Sequence, residues 1–312
     1  MKMTESNAIA IGRSLKLERE TPALSPSDRI IRFYEEASMD YAHWSRGLNM
    51  HLGFFRWGMN PFDREAMLEQ LNIEVAKRLE LDRDTHSFLV DLGCGMGGVA
   101  RSIAREYPRA TIKGVTLAPS QVRIASSINA EIGLKNRVEI LNEDYANLPL
   151  EDGIADAAWG VESVCYATGP EKADLVREAA RVLKTGGRFV VADCFVTNPA
   201  HIFNPLITKC YSTVCDAWAV PEMATLELFV AAMESHGFAN IVIEDASWRA
   251  APSLAHAPFA VLTFVIKNLL AGKKLKKHSI NNLKASLLAL VLGAHRSKFS
   301  YCLVSATRGP KA

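Results

Sequence analysis

Three acidic positions and one run of glycines carry the chemistry this chain can do. Asp91 stands two residues before Gly93, and Gly93, Gly95 and Gly98 fall at the spacing G-x-G-x-x-G. Glycines let the backbone pass close to a ligand, and a helix opening directly after them offers unpaired N–H groups and a positive dipole end. At this level the arrangement is shared by dinucleotide sites and by glycine turns of other α/β proteins. A carboxylate at the end of the preceding strand repels a pyrophosphate and welcomes a cationic group, so a cation-bearing nucleoside fits better. The second acid, Glu162, closes the small apolar run GIADAAWGV. Burial there disfavours the carboxylate and raises its pKa, which makes a general base usable near neutral pH; pairing with a buried Arg, Lys or backbone N–H would make it structural instead. The third position is the pair Glu143–Asp144, ending RVEILNED with Tyr145 next. An ionised acid only accepts hydrogen bonds and so complements the amino group of adenine, or it merely starts a turn.

The elements that must position these groups alternate. Phe88, Leu89, Val90 and Leu92 lead into the glycines, after which Val99, Ala100, Ile103 and Ala104 recur at helical spacing, so the stretch reads strand, tight loop, helix. The pattern predicts a helix over 61–81, a second strand over 110–117 and a helix over 118–133 with Pro119 in its first turn. A third strand over 137–144, a fourth within 153–167, a helix over 170–187 and a fifth strand over 188–195 follow. A helix over 224–238 and strands over 239–247 and 299–308 complete the series. The second strand ends in Val115, Thr116 and Leu117 rather than in the acid that holds the ribose in NAD sites, which counts against NAD.

Composition bounds the remaining choices. A chain of 312 residues with 49% hydrophobic content can bury a large core, and 36 Lys plus Arg against 34 Asp plus Glu disfavours a general nucleic-acid binder. Six cysteines without a C-x-x-C pair predict free thiols in a reducing compartment and no metal centre. The amino terminus has no apolar run of signal-peptide length, and no eighteen-residue apolar stretch occurs, so the expectation is a soluble, cytoplasmic protein.

Four segments fall outside the alternating core. Residues 1–28 read as a flexible arm, 29–60 as an aromatic helical cap, and 199–223 and 248–298 as lid insertions within a core formed by 61–198 and 224–312. In the cap, Tyr34, Tyr41, Trp44 and Phe54 either pack as core or, with Trp218 of the first lid, wall a substrate pocket. His51 either orients a substrate or satisfies a buried carbonyl. The second lid holds two apolar stretches around Lys273, Lys274, Lys276 and Lys277. Each stretch is too short to span a bilayer but can lie on a membrane or roof a lipophilic pocket, and the lysines are then phosphate contacts or simply a solvated loop.

The stretch VDLGCGMGG resembles the glycine-rich motif of class I S-adenosylmethionine (SAM) methyltransferases. HLGF at 51–54, GVTLAPSQ at 114–121, GVESVCY at 160–166 and LKTGG at 183–187 resemble the sterol, tocopherol and prenyl diphosphate C-methyltransferase branch. The resemblance implies an α/β, Rossmann-like sheet of seven strands with the last antiparallel. It implies SAM as cofactor, with Asp91, Gly93, Cys94 and Gly95 at its methionine end, Thr116, Leu117 and Gln121 near the ribose, and Asp144 and Tyr145 near the adenine. Glu162, with His51, is the catalytic candidate. The expected reaction is methyl transfer to an alkene carbon of an isoprenoid, prenyl diphosphate or sterol-like lipophile. O- or N-methylation of a natural product with His51 as base, and SAM or lipid binding without catalysis, are the alternatives. Peripheral membrane contact and a homo-oligomer are both left open.

Overall fold

The computed structural model describes residues 24–38, 41, 44–197, 204–272, 274–275 and 277–310. The expected arm, up to residue 23, and Lys273 and Lys276 lie outside them. One mixed sheet organises the chain. Its strands are β1 (Ser87–Leu92), β2 (Ala110–Thr116), β3 (Val138–Asn142), β4 (Ala155–Val161), β5 (Leu183–Val196), β6 (Ala224–Thr225), β7 (Phe238–Asp245) and β8 (Phe299–Arg308). They lie in the order β3-β2-β1-β4-β5-β8-β7, with β6 beside the far end of β5. Strands β1 to β5 pair in parallel, and β8 runs antiparallel between β5 and β7. The sheet has eight strands rather than seven because Ala224 and Thr225 add a two-residue parallel strand against Phe195 and Val196.

Sequential strands run outward from β1 in one direction to β3, then resume on its other side at β4, so a crevice opens between the carboxyl ends of β1 and β4. Both informative loops sit there. Apolar residues of β1 and β4, buried on both faces, fix the register Leu89↔Ala157, Val90↔Ala158 and Asp91↔Trp159. The chain can then only leave the strands with Gly93 and Glu162 facing each other across the crevice.

Helices cover the two faces. α1 (Pro26–Ala37) starts at Ser25, whose hydroxyl accepts from Asp28 N–H at 3.1 Å, and α2 (Arg64–Arg78) starts at Asp63, which accepts from Ala66 N–H at 3.1 Å. That cap makes α2 shorter than the apolar pattern over 61–81. α3 (Gly98–Glu106) follows the glycine loop and α4 (Pro119–Glu131) follows β2. α5 (Ala173–Val182) ends five residues before the expected Gly187, because Leu183 is buried against Ala155 and draws the chain into β5 early. α6 (Pro205–Ala217) precedes β6, and α7 (Leu226–Ser235) packs Phe229 and Met233 on the sheet. α8 (Ser247–Leu254), α9 (Ala257–Leu270) and α10 (Lys277–Ala294) fill the second insertion. Residues of α6 and α10 share a separate apolar cluster with Val196 and Phe299 at the carboxyl end of β5, which sets these two helices over that end of the sheet.

Candidate active site

The glycine loop forms the floor of a first cavity at the β1–β4 crevice. Asp91, Gly93, Cys94, Gly95, Thr116, Leu117, Gln121 and Tyr145 all line it, joined by Glu143, Asn49, Met50 and Tyr166. Gly93 has φ +84°, and a Cβ there would lie 2.4 Å from that of Ser163, so only glycine lets the two loops meet. At Gly98 a Cβ would lie 2.4 Å from Asn49 Oδ1, which lets the cap segment reach the start of α3. Asp91 is buried, its Oδ2 without a hydrogen-bond partner among the described residues, and burial pushes its pKa up to about 8, eased only by the Trp159 indole beside it. Thr116 donates to Gln121 Oε1 at 2.6 Å, fixing both side chains on the wall.

Asp144 does not join this lining. Its Oδ1 accepts from Ala146 N–H at 2.8 Å in a side-chain-closed turn, and the acid on the wall is its neighbour Glu143. The turn reading of this acid therefore describes Asp144.

A second cavity of about 620 Å³ lies beyond the first, under α6, α8, α9 and α10. Tyr34, Tyr41, Trp44 and Trp218 line it as a pocket of aromatic walls should. Three of the polar ends are tied down: Tyr34 donates to Tyr166 at 2.8 Å, Trp44 to the His51 carbonyl at 3.1 Å, and Trp218 to Asn282 Oδ1 at 2.7 Å. Phe54 is the exception among the aromatic candidates. It is buried in the core with Leu71 and Val75 under the Arg249 guanidinium, because Gly53 packs so tightly on Met67 that the next side chain points into the fold.

Glu162 stands in the wall common to both cavities. Its φ of +47° is a left-handed conformation that a non-glycine residue adopts only when its surroundings hold it, and here its N–H donates to Ala192 O at 2.8 Å. Oε1 accepts from Leu52 N–H at 2.6 Å and from the Tyr301 hydroxyl at 2.9 Å. Among the described residues no Arg or Lys pairs with it. Burial pushes its pKa up to about 8; the Leu52 N–H and Tyr301 hydrogen bonds pull it down, and the charge of Asp193 raises it further.

His51 also reaches both cavities, but its ring is held by the cap. Nδ1 lies 2.7 Å from Leu52 O and Nε2 lies 3.3 Å from Asn49 Oδ1, and burial lowers its pKa, which favours the neutral imidazole. The adjacent N–H groups of Leu52 and Gly53 bind Glu162 and Ser253 Oγ, the latter at 2.8 Å, so HLGF joins the end of β4 to helix α8.

Residues 89–187 match the family model described as a methyltransferase domain. Over 134 residues the chain is 37% identical to a sterol 4-C-methyltransferase of Caenorhabditis elegans, covering 43% of this chain and 38% of that protein. It is 32% identical over 157 residues to a methyltransferase of Penicillium fellutanum, covering 50% of this chain and 47% of that one. A probable tocopherol O-methyltransferase of Oryza sativa is 30% identical over 66% of this chain and 58% of its own. The chain thus aligns with under half the length of the first two of these relatives. A solved geranyl diphosphate methyltransferase, bound to its diphosphate and sinefungin, shares the fold with TM-score 0.70 at 18% identity over 91% of this chain and 99% of the other.

Residues 89–187 carry a methyltransferase domain. The sterol and tocopherol methyltransferases are among the proteins the chain is similar to, as the motifs led one to expect. Its first cavity fits SAM on its own terms: the unpartnered, buried Asp91 Oδ2 suits the ammonium of a methionine, and Gly93 and Gly95 leave room for its backbone to lie close. The cavities and the loops around them also hold residues that the sequence alone did not mark. Asp193, at the end of β5, faces the second cavity, with its carboxylate accepting from the N–H groups of Cys165 and Cys194 at 3.1 and 2.7 Å. Burial pushes its pKa up to about 6. The rule that singled out Glu162, an acid ending a buried strand at the crevice, applies equally to Asp193. Lys172 is wholly buried and donates to Ala167 O and Glu222 O at 2.7 and 2.8 Å, tying the loop after β4 to the segment after α6.

Proposed function

We propose that this methyltransferase moves the methyl group of SAM to a double-bond carbon of an uncharged, isoprenoid- or sterol-like lipophile, and that Glu162 removes the proton lost afterwards. The observation that carries the reading is the position of Glu162: a buried carboxyl which, among the described residues, is the one strand-end group that lines both the first cavity and an apolar chamber of about 620 Å³. SAM supplies an electrophilic methyl on a sulfonium. A positive charge in the first cavity favours the ionised form of Glu162, so the base is armed when the cofactor site is filled and stays largely neutral otherwise. Asp91 and the glycine loop hold the amino-acid end of the cofactor, and Thr116, Leu117, Gln121 and Tyr145 line the rest of its path.

The chamber supports an uncharged acceptor over a diphosphate. Its described lining carries two acids, Glu162 and Asp193, against one arginine, Arg296, which is already paired with Asp245. Tyr34, Tyr41, Trp44 and Trp218 offer aromatic surface to the cation formed when an alkene attacks a methyl group. Segment 29–60 acts as the cap, and 199–223 and 248–298 act as lids that exclude water from that cation. Transfer to oxygen or nitrogen with His51 as base is disfavoured by the ring's setting: Nδ1 lies 2.7 Å from Leu52 O, to which its N–H can donate, and Nε2 lies against Asn49 of the cap.

The deciding experiment supplies SAM labelled with carbon-13 in the methyl group together with a panel of terpene alkenes, sterols, phenols and amines, and locates the label by NMR. A carbon-bound methyl on an alkene is the expected result. Label found only on oxygen or nitrogen would overturn the reading.

A further inference from the structure

The second insertion turns apolar groups in two directions. On α9, Ala257, Ala260, Val261 and Phe264 line the chamber. At 100° per residue, Phe259, Leu262, Ile266 and Leu269 fall on the opposite side, and all four are exposed, Phe259 by 68% and Leu269 by 65%. Further aromatic surface gathers at the amino-terminal end of this helix. The His256 ring hydrogen-bonds Pro61 O at 2.8 Å and Phe55 N–H donates to Arg249 O at 2.8 Å, which brings the 55–62 loop beside α8 and α9. That loop exposes Trp57 by 87% and Phe62 by 85%, and Trp248 is 76% exposed at the start of α8. Scattered exposed apolar residues need no explanation, but a contiguous stripe with three large aromatic groups at one end does.

Charge identifies what covers it. Between Ser247 and Lys298 the sequence carries nine Lys or Arg and no Asp or Glu, in a chain whose overall balance is only +2. Lys267, Lys274 and Lys277 are exposed near the carboxyl-terminal end of α9. An apolar face with aromatic groups at its edge and cations around it matches the boundary of an anionic bilayer, where indole rings sit at headgroup level and lysines meet phosphates. A second copy of this chain would bring the same cations against one another. The stretch Ser247–Leu270 is long and apolar enough to cross a membrane by length and composition. Its first half is nevertheless built into the body, since Ala250 and Ser253 are buried and Ser253 Oγ holds Gly53 N–H. A stretch anchored in this way can lie on a bilayer but not cross it.

We propose that the outer face of α9, with Trp57, Phe62 and Trp248, docks on an anionic membrane surface and sets the roof of the acceptor chamber against the lipid phase. This rests on the reading of the chamber as a site for a lipophile and adds the route by which one arrives. A helix with one apolar face in lipid and the other in the chamber shortens the path of a bilayer-dissolved acceptor to one helix diameter.

The test is sedimentation of the full chain with phosphatidylcholine vesicles, with and without phosphatidylserine, alongside its mass in solution. The expected result is binding that needs phosphatidylserine, weakens with salt and shifts tryptophan emission to the blue. The triple change Phe259→Asp, Leu262→Asp, Ile266→Asp should weaken it at least roughly tenfold, as should Lys274→Glu with Lys277→Glu. Calorimetric binding of S-adenosylhomocysteine should stay unchanged in both, showing that the fold is intact. Wild-type protein that ignores all vesicles, or variants that bind them as well as wild type, would overturn the proposal. A dimer that the triple change turns into a monomer would assign the face to a second copy instead. None of these outcomes bears on where the labelled methyl goes, so failure of the docking and failure of the carbon-transfer reading are separable.

Discussion

The hydroxyl of Tyr301 donates to Glu162 Oε1 across 2.9 Å, bringing a residue of β8 onto a carboxyl at the end of β4, two strands away in the sheet. A donor on the ionised form stabilises it, so this contact helps bring Glu162 toward the range where it can accept a proton. Tyr301→Phe removes that help and leaves the Leu52 N–H in place. The acid limb of the pH–rate profile should therefore move upward by about one pH unit, in line with a hydrogen bond to a charged group. A profile identical to wild type would take Tyr301 out of the catalytic apparatus.

Replacing the carboxyl itself has a different signature. Glu162→Gln keeps a group of similar shape on the shared wall while removing the base, so turnover should fall by roughly two orders of magnitude. S-adenosylhomocysteine affinity, measured by calorimetry, should change little. Unchanged turnover would reduce Glu162 to a bracket between the cap and the sheet.

Buried acids also make the ligand-free protein sensitive to alkali. Glu162 and Asp91 are each raised to about 8 and Asp193 to about 6. A raised carboxyl binds its proton more tightly folded than unfolded, so between the unfolded value near 4 and the folded value the native state holds more protons and stability falls as pH rises. The midpoint of thermal unfolding should decline from pH 5 to pH 8 and flatten above that. Glu162→Gln should soften the decline, with its largest gain over wild type at the alkaline end. Melting curves at matched ionic strength decide this, and a midpoint that rises across the same interval would contradict the burial of these groups.

Local pattern carried the frame of this site well. The strand, glycine loop and helix around Asp91, and the acid ending β4, were legible because each is a short-range arrangement whose chemistry is visible in its own residues. What distance along the chain concealed was contact. Nothing in VSATR or KFSYCLV marks Tyr301 as a partner of a residue 139 positions earlier, and Lys172 reads as an ordinary helix-starting cation although it is wholly buried. Asp144 and Glu143 are indistinguishable in one dimension; the turn closed by Ala146 N–H decides which faces the cavity. Phe54 was misplaced for a similar reason, since the tight seat of Gly53 on Met67 sets its direction. The end of α5 shows the competing force plainly, as burial of Leu183 in the sheet outweighed the stop signal of Gly186 and Gly187.

Asp91 offers a test in which stability and binding move in opposite directions. Among the described residues its Oδ2 is buried without a partner, a cost that the ligand-free fold bears, and burial drives its pKa upward. Asp91→Asn keeps the shape and removes the ionisable group. Above pH 8, where the wild-type carboxyl ionises in place, the ligand-free variant should therefore melt higher than wild type. The same change removes the anion that meets a methionine ammonium, and loss of one charge-assisted hydrogen bond weakens binding by about 1.5–3 kcal/mol, roughly ten- to a hundredfold. Calorimetry with S-adenosylhomocysteine measures the second effect and melting without ligand the first. A variant that melts higher yet binds normally would mean that Asp91 is a buried defect of the fold and the ammonium is held elsewhere. One that melts lower would mean that its unpartnered oxygen has a structural partner in solution.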